Sequence, residues 1–255
     1  MNMHRTSLIA GLYLILGMPM DAVAQDDGWT SLIQGQSLDG WSRLNGEATY
    51  TVEDDGTIVG TTAAGTPNTF LATDRTYGDF TLKVDVWVDA GINSGIQIRS
   101  ESKPDYMKGR VHGYQVEIDP SARAWSGGIY DEARRGWLYP MTLNPACRKA
   151  FRVEDWNVYY IEAAGASIRT WINGIPCAAL YDDATLEGII ALQVHSISSE
   201  DQASKHVRWR NIQIREGSED MRPFDDTYVV NLIPNTLSPQ AVSYTHLTLP
   251  TKRIV

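Results

Sequence analysis

Apolar and polar residues alternate with a period of two through most of the chain. In FTLKVDVWV, Phe80, Leu82, Val84, Val86 and Val88 fall on one face, and Thr81, Lys83, Asp85 and Trp87 on the other. Successive side chains on a strand point to opposite faces, so this pattern predicts a half-buried β-strand. The alternation recurs in Ser94–Arg99, Tyr114–Asp119, Trp156–Glu162, Ser167–Ile172, Ile189–His195 and Val207–Ile214. Turn-forming clusters punctuate these runs: Asp54-Asp55-Gly56, Asp89-Ala90-Gly91, Gly127-Gly128, Asn173-Gly174 and Asp182-Asp183. The Asn-Gly pair between Trp171 and Ile175 predicts a tight hairpin. No segment keeps a helical period over three turns. Roughly ten or more short strands without intervening helices predict an all-β chain folded as a two-sheet antiparallel sandwich.

The outward positions of three strands carry an unusual set of side chains. Tyr114, Val116 and Ile118 suit the core, which turns Gln115, Glu117 and Asp119 outward. Carboxylates two residues apart on a strand have Cα atoms about 6.7 Å apart and point into the same space. Asn93, Gln97 and Arg99 form a second outward set, and Gln193 and His195 a third. A plain solvated face would carry such polar residues too, since antiparallel sheets commonly have one wet side. Amides in place of the usual Lys and Glu favour a binding face. An amide bonds hydroxyls in both directions, and nearby Trp or Tyr rings take the apolar side of a sugar.

Composition narrows the partners. The 255 residues allow one or two domains. A net charge of −9 lacks the basic footprint of a phosphate-backbone binder, so nucleic acid is not an expected partner. Two cysteines cannot build a disulfide-rich scaffold or a Cys-rich zinc module. Cys147 and Cys177 could pair with each other or remain as two buried thiols, and the sequence leaves both open.

The ends read separately. Residues 1–24 combine a short basic start, an apolar run from Leu8 to Met18 and the small-x-small site Ala22-Val23-Ala24. This is the pattern of a secretory signal peptide, and the run is too short to span a bilayer. The mature protein is therefore expected to be exported, periplasmic or secreted, without a membrane span. Gln25 rather than Cys follows the cleavage site, so no lipoprotein anchor is indicated. The sandwich is expected over 25–216 and a linker over 217–242. Residues 243–255 (SYTHLTLPTKRIV) fit no strand or capped helix and read as a non-native tail.

Eight segments in order resemble a known family. They are Trp29 with Leu32–Trp41, Asn93-Ser94-Gly95-Ile96 with Arg99, Gly113–Asp119, Gly127–Tyr130, Asp155-Trp156-Asn157, Trp171–Gly174, Leu192–His195 and Arg210-Asn211-Ile212. Together they resemble the 3-keto-disaccharide hydrolase domain, also described as 3-keto-glucoside 1,2-lyase/3-keto-2-hydroxy-glucal hydratase. The chain departs from the family pattern at Ile33-Gln34-Gly35, where many relatives carry Phe-Asp-Gly. The resemblance implies a jelly-roll sandwich similar to concanavalin A-type lectins and glucanases. It also implies cleavage of 3-keto-glycosides by C2-proton abstraction, elimination and rehydration. Val229–Ser238 resembles the joint that leads, in tandem relatives, into a second copy of the domain, so a further sandwich is expected beyond this chain.

Such chemistry requires a base near C2, a donor for the enolate oxygen and an acid for the leaving oxygen. The expected base is Glu117 or Asp119, with one carboxyl pKa raised by the other. Arg99 or His195 is expected to stabilise charge or donate the proton. Asn93, Gln97, Gln115, Tyr130 and Gln193 are expected to hold hydroxyls, and Trp125 or Trp137 to stack the sugar ring. A divalent metal held by Glu117, Asp119 and His195 is an alternative use of the same residues. Two rival functions remain. A laminarinase-type glycosidase would use Glu-x-Asp-x-x-Glu, but Pro120, Ser121 and Ala122 follow Asp119 and the third carboxylate is missing. A non-catalytic, lectin-like binding module would show much the same polar face.

Overall fold

The computed structural model describes residues 28–217 and 229–233. The expected signal peptide, the expected tail and most of the expected linker lie outside them. Sixteen strands occur in order: β1 Thr30–Ser31, β2 Trp41–Asn45, β3 Thr49–Val52, β4 Ile58–Thr61, β5 Thr69–Thr73, β6 Phe80–Val88, β7 Ser94–Glu101, β8 His112–Ile118, β9 Ile129–Glu132, β10 Gly136–Tyr139, β11 Asn157–Ala164, β12 Ser167–Ile172, β13 Ile175–Tyr181, β14 Ile189–Val194, β15 His206–Glu216 and β16 Val229–Asn231. One sheet runs β10-β9-β8-β7-β14-β5-β2. The other runs β16-β13-β12-β11-β6-β15-β4-β3, with β1 paired to β15. Among the described residues, these strands pair antiparallel except β13–β16, so a short part of the expected linker adds a parallel edge strand. This is the jelly-roll sandwich of the concanavalin A type. Helix is confined, among the described residues, to two short 3₁₀ turns.

The core sits between the sheets and obeys the period-two pattern. Phe80, Leu82, Val84, Val86 and Val88 on β6 are buried, as are Tyr114, Val116 and Ile118 on β8. The Asn173-Gly174 turn joins β12 to β13 with both residues at positive φ (51° and 81°), as a tight right-twisted hairpin requires.

Register shifts interrupt strict alternation in several strand pairs, and two of them change the facing of residues discussed below. In β15 the register shifts between Arg210 and Gln213, with Asn211 at φ 51°. Val207 and Trp209 therefore point inward on one side of the bulge, and Ile212 and Ile214 on the other. In β7 the register shifts between Ile98 and Glu101, with Arg99 at φ 46°. The extra residue of a bulge reverses the facing of the rest of its strand.

Cys147, in the turn after β10, is bonded to Cys177 on β13 with Cα atoms 5.0 Å apart. The bridge also backs the loop after β8, since a Cβ on Gly127 would come within 2.9 Å of the Cys177 sulfur. Closing a loop of 30 residues removes unfolded-state entropy worth roughly 3–4 kcal/mol. Replacing both cysteines by alanine is thus expected to lower unfolding free energy by about 3 kcal/mol in a urea titration. An unchanged midpoint would show that the bridge contributes nothing to stability.

Candidate functional site

The outer face of the seven-stranded sheet carries a cleft of about 690 Å³, within the range of small-molecule sites. Its floor is built from outward positions of adjacent strands: Phe70 on β5, Gln193 on β14, Gln115 and Glu117 on β8, and Tyr130 on β9. Asn45, Asn68, Asn93, His195 and Ser196 border it at the strand ends. Pro67, Met107, Lys108, Arg110, Arg123, Glu132 and Trp137 complete the lining.

The floor is a connected polar network. Gln97 lies opposite Gln115 across the β7–β8 pair, and Gly95 lies opposite both Glu117 and Gln193. Gln97 Nε2 and Gln193 Nε2 donate to Gln115 Oε1 at 2.7 and 2.9 Å, and Gln115 Nε2 donates to Glu117 Oε2 at 3.0 Å. The Gln115 side chain crosses β7 in the space that Gly95 leaves. A Cβ on Gly95 would stand 2.3 Å from Gln115 Cδ. Gln193 Oε1 is buried and has no protein partner, so it remains an acceptor at the cleft floor.

Glu117 is only 3% exposed. Burial pushes its carboxyl up to about 7 against the opposing pull of the Gln115 amide, Arg123 and Asn93. Asp119 adds a smaller upward push, so burial rather than carboxylate pairing is the main cause. Arg123 Nη2 donates to Glu117 Oε1 at 3.1 Å, and its Nε donates to Asp119 Oδ2 at 2.7 Å. The same guanidinium packs over Trp125 and Trp137, 4.8 and 5.1 Å from the ring centroids.

Several expected site residues lie elsewhere. Arg99 is fully buried and away from the cleft, because the bulge at its own position turns it off the floor. Its guanidinium donates to Gly78 O, Gly165 O and Asp79 Oδ1 at 2.5–2.9 Å, tying the sheets together. Asp119 comes after the last residue of β8 and turns into its own loop, where it accepts from Ser121 N, Trp125 N and Arg123. Burial raises its pKa, but the hydrogen bonds from Ser121 and Arg123 outweigh this and hold it below the usual carboxylate range. Gln97 is buried behind Gln115 and does not line the cleft. Trp125 also stands back, packed edge-on against Trp137 at 4.6 Å.

The expected metal set does not assemble. Asp119 is committed to Arg123 and backbone amides, and no group of three His, Cys, Asp or Glu among the described residues could hold an ion. His195 does reach the cleft. Its Nδ1 lies 2.6 Å from Ser196 O. A carbonyl only accepts, so Nδ1 carries a proton in either charge state, and Nε2 is the nitrogen left to exchange one.

Arg123, Lys108, Arg110, Glu132, Asn45 and Asn68 are not picked out by the strand pattern. They stand on loops or strand ends, where alternation gives no facing. One signal for Arg123 is present: Pro120 ends the strand, and Arg123 lies four residues beyond Asp119 within the resulting tight loop.

The chain belongs to the family of 3-keto-alpha-glucoside-1,2-lyase-like domains, whose model matches residues 28–215. That places it among carbohydrate-active proteins. No curated protein matches it. A Parabacteroides distasonis protein described as a candidate glycosyl hydrolase has the same fold, at 18% identity over 75% of this chain and 94% of its own, with a TM-score of 0.55. A Bacillus subtilis protein with a galectin-like fold aligns at 13% identity, covering 70% of this chain and 90% of its own, with a TM-score of 0.51. A carbohydrate-binding module from Bacillus subtilis aligns at 16% identity over 73% and 99%, with a TM-score of 0.50. These likenesses are of fold. Among the described residues, no helix is long and apolar enough to cross a membrane.

The buried carboxyl has a consequence for stability. A carboxyl whose folded pKa is raised holds its proton more tightly when folded, so stability falls as pH rises from the unfolded value near 4.5 to about 7. The expected loss across that window is up to about 3 kcal/mol, and Glu117→Gln should remove it. Chemical denaturation of both proteins at pH 5 and pH 8 measures the difference. A wild-type-minus-variant difference that is the same at both pH values would show that Glu117 titrates normally.

Proposed function

We propose that this protein cleaves the glycosidic bond of 3-keto-glycosides, with Glu117 as the base. The observation that carries this reading is one buried carboxyl, brought near neutrality, on the floor of a sugar-sized cleft lined by amides and an aromatic ring. A ketone at C3 acidifies the C2 hydrogen, and a base with a pKa near the working pH is best suited to remove it. In the proposed sequence the C2–H bond breaks and its proton passes to Glu117. The electron pair forms an enolate whose oxygen is stabilised by the charge of Arg123. The enolate then expels the C1 substituent, and the leaving oxygen takes a proton from the His195 imidazolium. Water adds at C1 of the resulting 2-hydroxy-glycal and gives its proton to the now deprotonated His195, while C2 regains a proton from Glu117, so both groups are restored and the net change is hydrolysis.

Within this reading Gln115, Gln193, Asn93 and Tyr130 hold hydroxyls. Trp137 offers the ring face against which a sugar packs. A retaining glucanase mechanism finds less support, because it needs a second free carboxyl beside the bond: Asp119 is bound into its own loop and Glu132 is paired with Arg110. The protein acts outside the cytoplasm in this reading, which agrees with a disulfide between its two cysteines. Mass spectrometry of protein recovered from the native host should find Gln25 at the mature N-terminus. Retention of Met1–Ala24 would overturn export by this signal.

The direct test is incubation with methyl 3-keto-glucoside, monitoring loss of its ultraviolet signal in base. Turnover is expected, with kcat/KM rising as pH increases through about 7 because the base must be ionised. Glu117→Gln is expected to lower kcat by roughly 10²–10⁴-fold with little change in KM. Full turnover by that variant would remove Glu117 from the chemistry. Binding by the wild type without loss of substrate would instead define a lectin-like module.

A further inference from the structure

Gln97 and Ser100 lie behind the cleft floor and touch no ligand space, yet they end in a chain of hydrogen bonds that leads to Glu117. An amide oxygen only accepts and an amide nitrogen only donates. Gln115 Oε1 accepts from both Gln97 and Gln193, so its Nε2 is committed to Glu117 Oε2. Gln97 is oriented in turn by Ser100 Oγ, which donates to Gln97 Oε1 at 2.7 Å. Every hydrogen in the chain Ser100–Gln97–Gln115–Glu117 therefore points toward the carboxylate. Ser100 stands on this side of β7 only because the bulge at Arg99 reverses facing there.

We propose that Gln97 and Ser100 are positioning residues that fix the polarity of this amide chain and so hold Glu117 as the accepting carboxylate. The proposal rests on the reading of Glu117 as the base. A protonated Glu117 can donate into the floor only if Gln115 turns over, which brings its amide nitrogen to face Gln97 and Gln193. Both of these must then turn as well. Ser100 Oγ has Ile98 O and Tyr114 O within 3.1 and 3.3 Å as alternative acceptors, so the chain reverses as a unit rather than one amide at a time. Removing the groups at its far end frees Gln115 to turn and relaxes the preference for the carboxylate. The charged groups that face Glu117 are Arg123 and Asp119 on the loop after β8. Lys108, Arg110, Glu132 and His195 line the rest of the cleft. None of them changes in the test.

The test uses Gln97→Met, Ser100→Ala and the double variant in the full chain. The Glu117 midpoint is read twice: by the infrared carboxyl stretch, as a difference from Glu117→Gln in each background, and by the acid limb of kcat/KM. Gln97→Met is expected to raise the midpoint by about 0.5–1 unit, a three- to tenfold change in the ionisation constant. Ser100→Ala, a mild change that leaves the strand intact, is expected to raise it by less. The double variant should match Gln97→Met alone, because Ser100 acts through Gln97. KM should change little, since neither residue lines the cleft. An unchanged or lowered midpoint, or shifts that add in the double variant, would overturn the proposal. The two readouts separate the two ideas. A shifted infrared midpoint without turnover of any 3-keto-glycoside keeps the polarity argument and removes the proposed function. Turnover that depends on Glu117 with an unshifted midpoint does the reverse.

Discussion

Holding a carboxylate out of water on the face of a sheet is the constraint around which this cleft is arranged. Desolvating such a group costs several kcal/mol unless donors replace the lost water. The neighbouring strands supply them. Gln115 lends one amide hydrogen from the same strand, two residues away, and is itself braced from β7 and β14. Arg123 lends a charged donor from the loop beyond the strand end. The result is a division of labour by position: amides, which carry no net charge, surround Glu117 on the buried floor, and the cationic Arg110 and Arg123 stand at the rim, where solvent reaches them.

The loops that bring those rim groups into place are pinned by side chains from distant parts of the chain. Asn45 accepts from Val111 N and donates to Gly109 O, which fixes the β7–β8 loop against the end of β2. Asn68 accepts from Ser196 N and sets the approach of His195. Ser126 closes the base of the Asp119–Ser126 loop by bonding both the amide and the carbonyl of Asp119. Asp119 is therefore a structural element of the cleft. Its ionised form stations Arg123 and does not face the ligand space itself.

The two-sheet sandwich and the Gln115, Glu117 and Gln193 part of the floor are readable from the alternation of side chains alone, whereas the jelly roll is implied by the family resemblance and Phe70 on β5 is missed. The period of two assigns facing wherever a strand is regular, so Tyr114, Val116 and Ile118 fell inward and Gln115, Glu117, Gln193 and His195 fell together on one outer surface. The reading broke down where regularity ends. Arg99 was expected outward, and a single residue in the left-handed region turned it to the other side. Asp119 lies just past the last strand residue, where alternation no longer governs direction. Arg123, Lys108 and Asn45 belong to segments whose course depends on tertiary hydrogen bonds, for which a linear pattern carries no information. The two cysteines were ambiguous for the same reason, since their pairing depends on where the turn after β10 lands on β13.

Gly95 has a meaning that extends beyond this one molecule. The side chain of Gln115 occupies the volume where any residue other than glycine at position 95 would place its first carbon. The two positions therefore constrain each other through successive generations of sequence: a mutation at 95 evicts the amide at 115, and the carboxylate at 117 then loses its closest uncharged donor. Among chains that share this sandwich, a glycine on β7 facing a Gln-x-Glu on β8 should be inherited as a unit or lost as a unit. That co-occurrence offers a way to sort sequences that have kept this floor from those that have kept only the fold.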